Sequence, residues 1–139
     1  MSKTFHLTVL SAEKELCAEE AESLTISTEM GEITVMTDHL PLVTNLDPGG
    51  LKIQKPGGKI DWMFVGGGVL EFDKNNNCKV LADVVERVEE IDEKHAEEAR
   101  ERAKKILENA KSEPEVAAAQ AALLQAIARL RIAEKIRKR

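Results

Sequence analysis

Residues 80–96 read Val80-Leu81-Ala82-Asp83-Val84-Val85-Glu86-Arg87-Val88-Glu89-Glu90-Ile91-Asp92-Glu93-Lys94-His95-Ala96, and the chain changes character within them. All 8 glycines, 3 of the 4 prolines and every aromatic residue lie before residue 87. Beyond it Ala, Glu, Lys, Arg, Leu and Ile dominate, the strong helix formers, with Pro114 as the single breaker. Charge divides at the same place. Residues 1–84 carry 7 basic and 13 acidic side chains, net −6, whereas residues 85–139 carry 13 basic and 12 acidic, net +1. The chain therefore holds two modules, 1–87 and 88–139.

Working back toward the N-terminus, apolar and polar residues alternate in Phe5-His6-Leu7-Thr8-Val9, Leu24-Thr25-Ile26-Ser27 and Ile33-Thr34-Val35-Met36, the period of a half-buried strand. Shorter runs occur at 51–53, 60–65, 69–72 and 78–81. Turn formers separate them at Met30-Gly31, Asp47-Pro48-Gly49-Gly50, Pro56-Gly57-Gly58 and Asp73-Lys74-Asn75-Asn76-Asn77. Short strands at such intervals indicate an antiparallel sandwich or barrel.

Working forward, Asp92 is placed to cap a first helix, in which Ala96, Ala99, Ala103, Ile106 and Ala110 recur at steps of three and four. Ser112 with Glu115 forms a capping box for a second helix, whose Val116, Ala119, Leu123, Ala126, Leu130 and Ala133 repeat the spacing. Two such seams joined by a short loop make an antiparallel hairpin. Each buried alanine removes about one methyl from water, worth roughly 0.8 kcal/mol, so the seam is tight and shallow. Leu124, Ile127, Ile132 and Ile136 make the second helix apolar on more than one side, which calls for more than one partner.

Composition narrows the function. A chain of 139 residues with 42% hydrophobic and 32% charged residues has the make-up of a folded domain. Its net charge of −5 argues against a general nucleic-acid binder, which needs a positive surface. The longest apolar run, Val116 to Ala128, is short for a bilayer and contains Gln120 and Gln125. Ser2, Lys3 and Thr4 open the chain without a signal-peptide core. Cys17 and Cys78 match no metal spacing and read as reduced thiols. His6, His39 and His95 form no metal-ligand pattern, and Gly66-Gly67-Gly68 lacks the Lys-Ser/Thr of a phosphate loop, so it reads as a bulge or close backbone packing. No catalytic constellation and no metal site emerge. One feature points to a partner: Arg129, Arg131, Lys135, Arg137, Lys138 and Arg139 face only Glu134 over the last eleven residues, net +5. One or two cations suit a helix C-terminus. Six suit an acidic protein surface, with an anionic membrane as the competing target.

Several segments, in order along nearly the whole chain, resemble the epsilon subunits of bacterial F-type (rotary) ATP synthases. They are Thr4-Phe5-His6-Leu7-Thr8-Val9-Leu10-Ser11, Met30-Gly31-Glu32-Ile33 with Asp38-His39-Leu40-Pro41-Leu42, Gly67-Gly68-Val69-Leu70-Glu71-Phe72, and Ala126-Ile127-Ala128-Arg129-Leu130-Arg131-Ile132-Ala133-Glu134. The resemblance implies an α+β fold, a ten-stranded β-sandwich followed by two helices. It implies a non-catalytic rotor subunit on the cytoplasmic face of the plasma membrane. Such a subunit joins the gamma shaft to the proton-carrying c-ring, with Glu32 and His39 on loops that touch the ring. Thr34 and Thr37 stand where that family usually has Gly and Pro. It further implies that the helices switch, folding as a hairpin on the sandwich or extending beside gamma to inhibit ATP hydrolysis by the catalytic alpha and beta subunits. Two helices of roughly 18 and 24 residues reach about 60 Å end to end.

Some members of that family bind regulatory ATP through an I-D-x-x-R-A motif. Here Ile91 and Asp92 match it, His95 replaces the arginine, Glu86, Arg102 and Arg129 match further contacts, and Gln125 replaces another arginine. Loss of two guanidinium groups removes bidentate phosphate recognition and leaves weak, pH-sensitive binding through protonated His95. No cofactor is required. The alternatives are a free-standing nucleotide-sensing sandwich with a helical lid, which needs a deep pocket, and a sandwich enzyme, which needs a convergent polar cluster.

Overall fold

Alternation buries Phe5, Leu7 and Val9 on one face of the first strand, β1 (Phe5–Ser11), and the same period shapes most of the other strands. The computed structural model describes residues 3–137, and among these it has nine strands and two α-helices. It divides into two units, Met1–Arg87 and Val88–Arg139.

The first unit continues with β2 (Glu15–Ala21), β3 (Ser23–Thr28), β4 (Gly31–Met36), β5 (Leu42–Gln54), β6 (Ile60–Val65), β7 (Gly68–Phe72), β8 (Asn77–Ala82) and β9 (Val85–Arg87). One layer runs β2-β1-β8-β7 to the first half of β5, and the other runs β4-β3 to its second half, then β6 and β9. All pairs are antiparallel except β1 with β8. The nine strands among the described residues agree with the expected sandwich, and β5 serves both layers: Leu42–Leu46 pair with β7, and Gly49–Gln54 pair with β6. The segment Asp47-Pro48-Gly49-Gly50, expected to break the chain, is a bend inside this strand. Pro48 needs no hydrogen-bond acceptor there, and a Cβ on Gly49 would lie 3.0 Å from Ser27 Oγ.

Large side chains fill the space between the layers. Phe5 and Phe72 meet edge to face at 5.4 Å, with Leu24, Ile26, Leu51 and Ile53 fully buried around them. Each contributes about 1.5–3 kcal/mol of burial. Gly68, at φ 135°, lets β7 approach β8 so closely that a Cβ would lie 2.8 Å from Ala82 Cα, the close backbone packing expected of the triple glycine. Lys55 Nζ reaches Glu19 at 3.1 Å and Asp61 at 3.4 Å. Arg87 reaches Asp61 at 3.3 Å and donates to the Leu16 carbonyl at 3.3 Å. This network ties β2, the edge of one layer, to β6 and β9 at the edge of the other.

In the second unit a 3-10 turn (Val88–Glu90) precedes α1 (Glu93–Asn109) and α2 (Glu113–Arg137), which pack on each other. Asp92 caps α1 by accepting the His95 N–H at 3.1 Å, and Ser112 Oγ accepts the Glu115 N–H at 3.3 Å. The buried alanines recur every seven residues, Ala96 and Ala103 on α1, Ala119, Ala126 and Ala133 on α2. Such a seam admits helix axes near the short end of the 8–10 Å range. Five alanines contribute about 4 kcal/mol of burial in all. Ile106, expected in the seam, is exposed, and Leu107 takes the half-buried position. Over Glu113–Ile136, α2 is long and apolar enough to cross a membrane by length and composition, contrary to the sequence expectation. Eight of its fifteen apolar residues there are alanine, and four of its alanine and isoleucine side chains are buried.

Candidate functional site

Glu32 is the second residue of β4, beside a turn in which Thr28 Oγ1 accepts the Met30 N–H at 3.1 Å and donates to the Gly31 carbonyl at 2.7 Å. Its side chain is exposed. His39 lies beyond the other end of β4, in the connection to β5. Its backbone N–H donates to the Met36 carbonyl at 3.1 Å, its Nδ1 donates to the Leu40 carbonyl at 2.7 Å, and its ring stands edge-on to Phe72 at 5.7 Å. Four strand steps, about 13 Å, separate Glu32 from Met36, so the structure does not bring Glu32 and His39 together. Glu32 sits in a strand rather than a loop. Thr34 answers Thr25 across the β3–β4 pair at 2.9 Å.

Around these two residues the sandwich exposes side chains that sequence reasoning passed over. Met30 is 76% exposed, Met36 58%, Leu40 79% and Val43 71%. Met30 adjoins Glu32, and the other three flank His39 along the chain. The signal was present in Leu40-Pro41-Leu42-Val43, four apolar residues in a row where a half-buried strand requires alternation. Leu42 and Thr44 turn inward, which sends Val43 out.

The nucleotide set divides between the units: Glu86 belongs to β9, and Ile91, Asp92, His95, Arg102 and Arg129 belong to the helical unit. Asp92 is engaged as the α1 cap. Arg102 lines an open recess with Glu97, Glu98, Glu101 and Lys105, three carboxylates beside two cations. On α2, Arg131 and Lys135 are exposed and Arg129 is half-buried. Lys138, Arg139 and the side chain of Arg137 lie outside the described residues.

Burial, helped by the Glu19 carboxylate, pushes the Cys17 thiol up to about 11, and burial pushes Cys78 up to about 12. Desolvation opposes the Lys55 ammonium, but Glu19 and Asp61 outweigh it and hold its pKa above the usual lysine value. Among the described residues no group of three or more His, Cys, Asp or Glu is placed to hold a metal ion.

The family model described as "ATP synthase, Delta/Epsilon chain, beta-sandwich domain" matches residues 4–88, and that described as "ATP synthase, Delta/Epsilon chain, long alpha-helix domain" matches residues 89–134. The ATP synthase epsilon chain of Nitrosococcus oceani is 39% identical over 139 residues, 100% of this chain and 99% of that one. That of Laribacter hongkongensis is 42% identical over 137 residues, 98% and 97%. Among solved structures, a chain of the Euglena gracilis mitochondrial ATP synthase, an OSCP/F1/c-ring assembly, superposes with a TM-score of 0.73 at 24% identity, covering 97% of this chain and 80% of that one. A chain of the Tetrahymena thermophila mitochondrial ATP synthase central stalk and c-ring gives 0.63 at 15% identity, covering 95% and 98%. These two likenesses show the fold.

Proposed function

The chain belongs to the ATP synthase delta/epsilon chain family, as a non-catalytic epsilon subunit of an F-type enzyme, and we propose that it is the rotor piece joining the gamma shaft to the c-ring. In this reading its helices restrain ATP hydrolysis by the alpha and beta subunits. The assembly translocates protons, and the chain sits peripherally on the cytoplasmic face of the bacterial plasma membrane without inserting into it. The Tetrahymena chain comes from a central stalk with its c-ring, which supports the same placement here.

The exposed Met30 near Glu32, and the exposed Met36, Leu40 and Val43 near His39 along the chain, carry the reading. Side chains of this size left outside a well-filled core mark a protein contact surface. A coupling element must also transmit torque without yielding, and the two layers, joined through β5 and tied at their edges by Lys55 and Arg87, suit that task. The hairpin suits the opposite one. Its alanine seam makes opening inexpensive, so closed and extended forms separated by a few kcal/mol can exchange under rotor load or nucleotide state. The basic end of α2 then meets an acidic surface of the catalytic subunits. Regulatory ATP is a secondary part of the reading, since His95 and Gln125 stand where two arginines of the family's motif would be, which weakens any such site.

Deleting residues 129–139 tests the brake. The assembled enzyme is expected to hydrolyse ATP faster while keeping the truncated chain bound. Unchanged hydrolysis contradicts the proposal.

A further inference from the structure

Two described non-glycine residues adopt a left-handed backbone, Asp38 at φ 66° and Asn76 at φ 59°, and they hold each other. The Asp38 N–H donates to Asn76 Oδ1 at 2.7 Å, and Asn76 Nδ2 donates to Asp38 Oδ1 at 3.0 Å. Asp38 lies in the connection between β4 and β5, and Asn76 lies in the β7–β8 turn. That turn is itself fixed. The Asp73 carboxylate accepts the N–H groups of Asn75 at 2.8 Å and Asn77 at 3.0 Å, and the Asn76 carbonyl accepts the His6 N–H at 2.9 Å. Lys3 Nζ lies 3.9 Å from the other Asp38 oxygen. Asn and Asp enter the left-handed region more readily than other residues with a Cβ, yet the conformation remains costly and persists where its surroundings over-determine it.

The clasped connection reaches the core through one contact, the His39 ring edge-on to Phe72 at 5.7 Å. No residue from 37 to 41 belongs to the buried cluster between the layers. Ordering the connection instead fixes side chains that point outward, Met36 and Leu40 above all. A surface ordered before binding avoids the ordering cost at the moment of binding. We infer that Asn76 is a positioning residue, holding the 37–41 connection in its binding conformation through reciprocal bonds to Asp38. This rests on the reading of that surface as the sandwich's contact with its rotor partners. The occupant is a protein surface that takes an apolar tip, Leu40, beside the exposed Asp38 and Lys3 pair.

The test compares variants of the complete chain in the assembled synthase, reading the rate at which the chain is released, together with amide exchange in the free chain. Asn76→Asp keeps an acceptor for the Asp38 N–H but removes the donor and sets two carboxylates face to face. It is expected to release about tenfold faster, the effect of losing one charge-assisted hydrogen bond, and to speed exchange of the Asp38 amide while β1, β5 and β8 exchange as before. The swap Asp38→Asn with Asn76→Asp restores a donor–acceptor pair between residues that both tolerate the left-handed backbone, and is expected to recover most of the wild-type retention. Leu40→Asp tests the surface separately and is expected to release fast. If Leu40→Asp releases fast and Asn76→Asp does not, the clasp has no positioning role and the surface reading stands. If neither changes release, the surface reading fails and the inference fails with it. If Asn76→Asp loosens β1, β5 and β8 and the swap recovers nothing, Asn76 is structural only.

Discussion

Gly68 and Gly57 share a positive φ and differ in their surroundings, which separates two reasons for glycine. A Cβ at Gly68 would drive into the Leu81–Ala82 backbone, whereas one at Gly57 meets nothing within 4 Å. Gly68→Ala is therefore expected to cost about 3 kcal/mol or more, since β7 and β8 must part, and Gly57→Ala about 1 kcal/mol from backbone conformation alone. Denaturant midpoints check both. The thiols make a pH prediction. From an ordinary value of 9.0, Cys17 rises to about 11 and Cys78 to about 12, so the folded chain holds these protons more tightly than the unfolded one. Their contribution to stability is complete below pH 9 and is lost as pH rises through 11 and 12. Stability is expected to fall above pH 9, and to fall less in Cys17→Ser/Cys78→Ala. At this scale the site was only partly legible. Glu32 and His39 stood out as polar residues in a matching motif, but the outward turn of Val43 depends on which face of β5 meets the core. The bond between Asp38 and Asn76 joins residues 38 apart, and local pattern does not reach that far.

The helices were legible almost to the residue because what makes a helix is local: Asp92 and Ser112 cap within three residues, and the seam repeats every seven. The strands were legible only where alternation survives. Glu15–Ala21 hides β2 behind Glu15, Glu19 and Glu20, yet those charges are what an edge strand needs to resist pairing with another chain. The three-residue β9 has no pattern of its own and exists because β6 offers it an edge. The bend in β5 was mistaken for a turn because Pro and Gly serve both. The seam itself yields a prediction. Ala126→Leu overfills it and is expected to cost about 1–3 kcal/mol of helical-unit stability, whereas Leu124→Ala, on an exposed position, should change it by under about 0.5 kcal/mol. Helical circular dichroism on heating measures the difference.

For the whole molecule, the two units differ in how they are held together, and the proposed division of labour reflects that difference. Phenylalanine, leucine and isoleucine fill the sandwich, which suits a part that must carry torque unchanged. Five alanines line the helical seam, which suits a part that must open and close. If the sandwich couples and the helices only restrain, the two functions are separable by cutting the chain between Arg87 and Val88. The direct measurement is the number of protons pumped per ATP hydrolysed by the membrane-reconstituted enzyme assembled with the complete chain, with residues 1–87 alone, or with neither. The account predicts that residues 1–87 preserve the ratio while hydrolysis accelerates, and that omission of the chain collapses the ratio. A ratio lost with residues 1–87 present and bound, or preserved with the chain omitted, contradicts it.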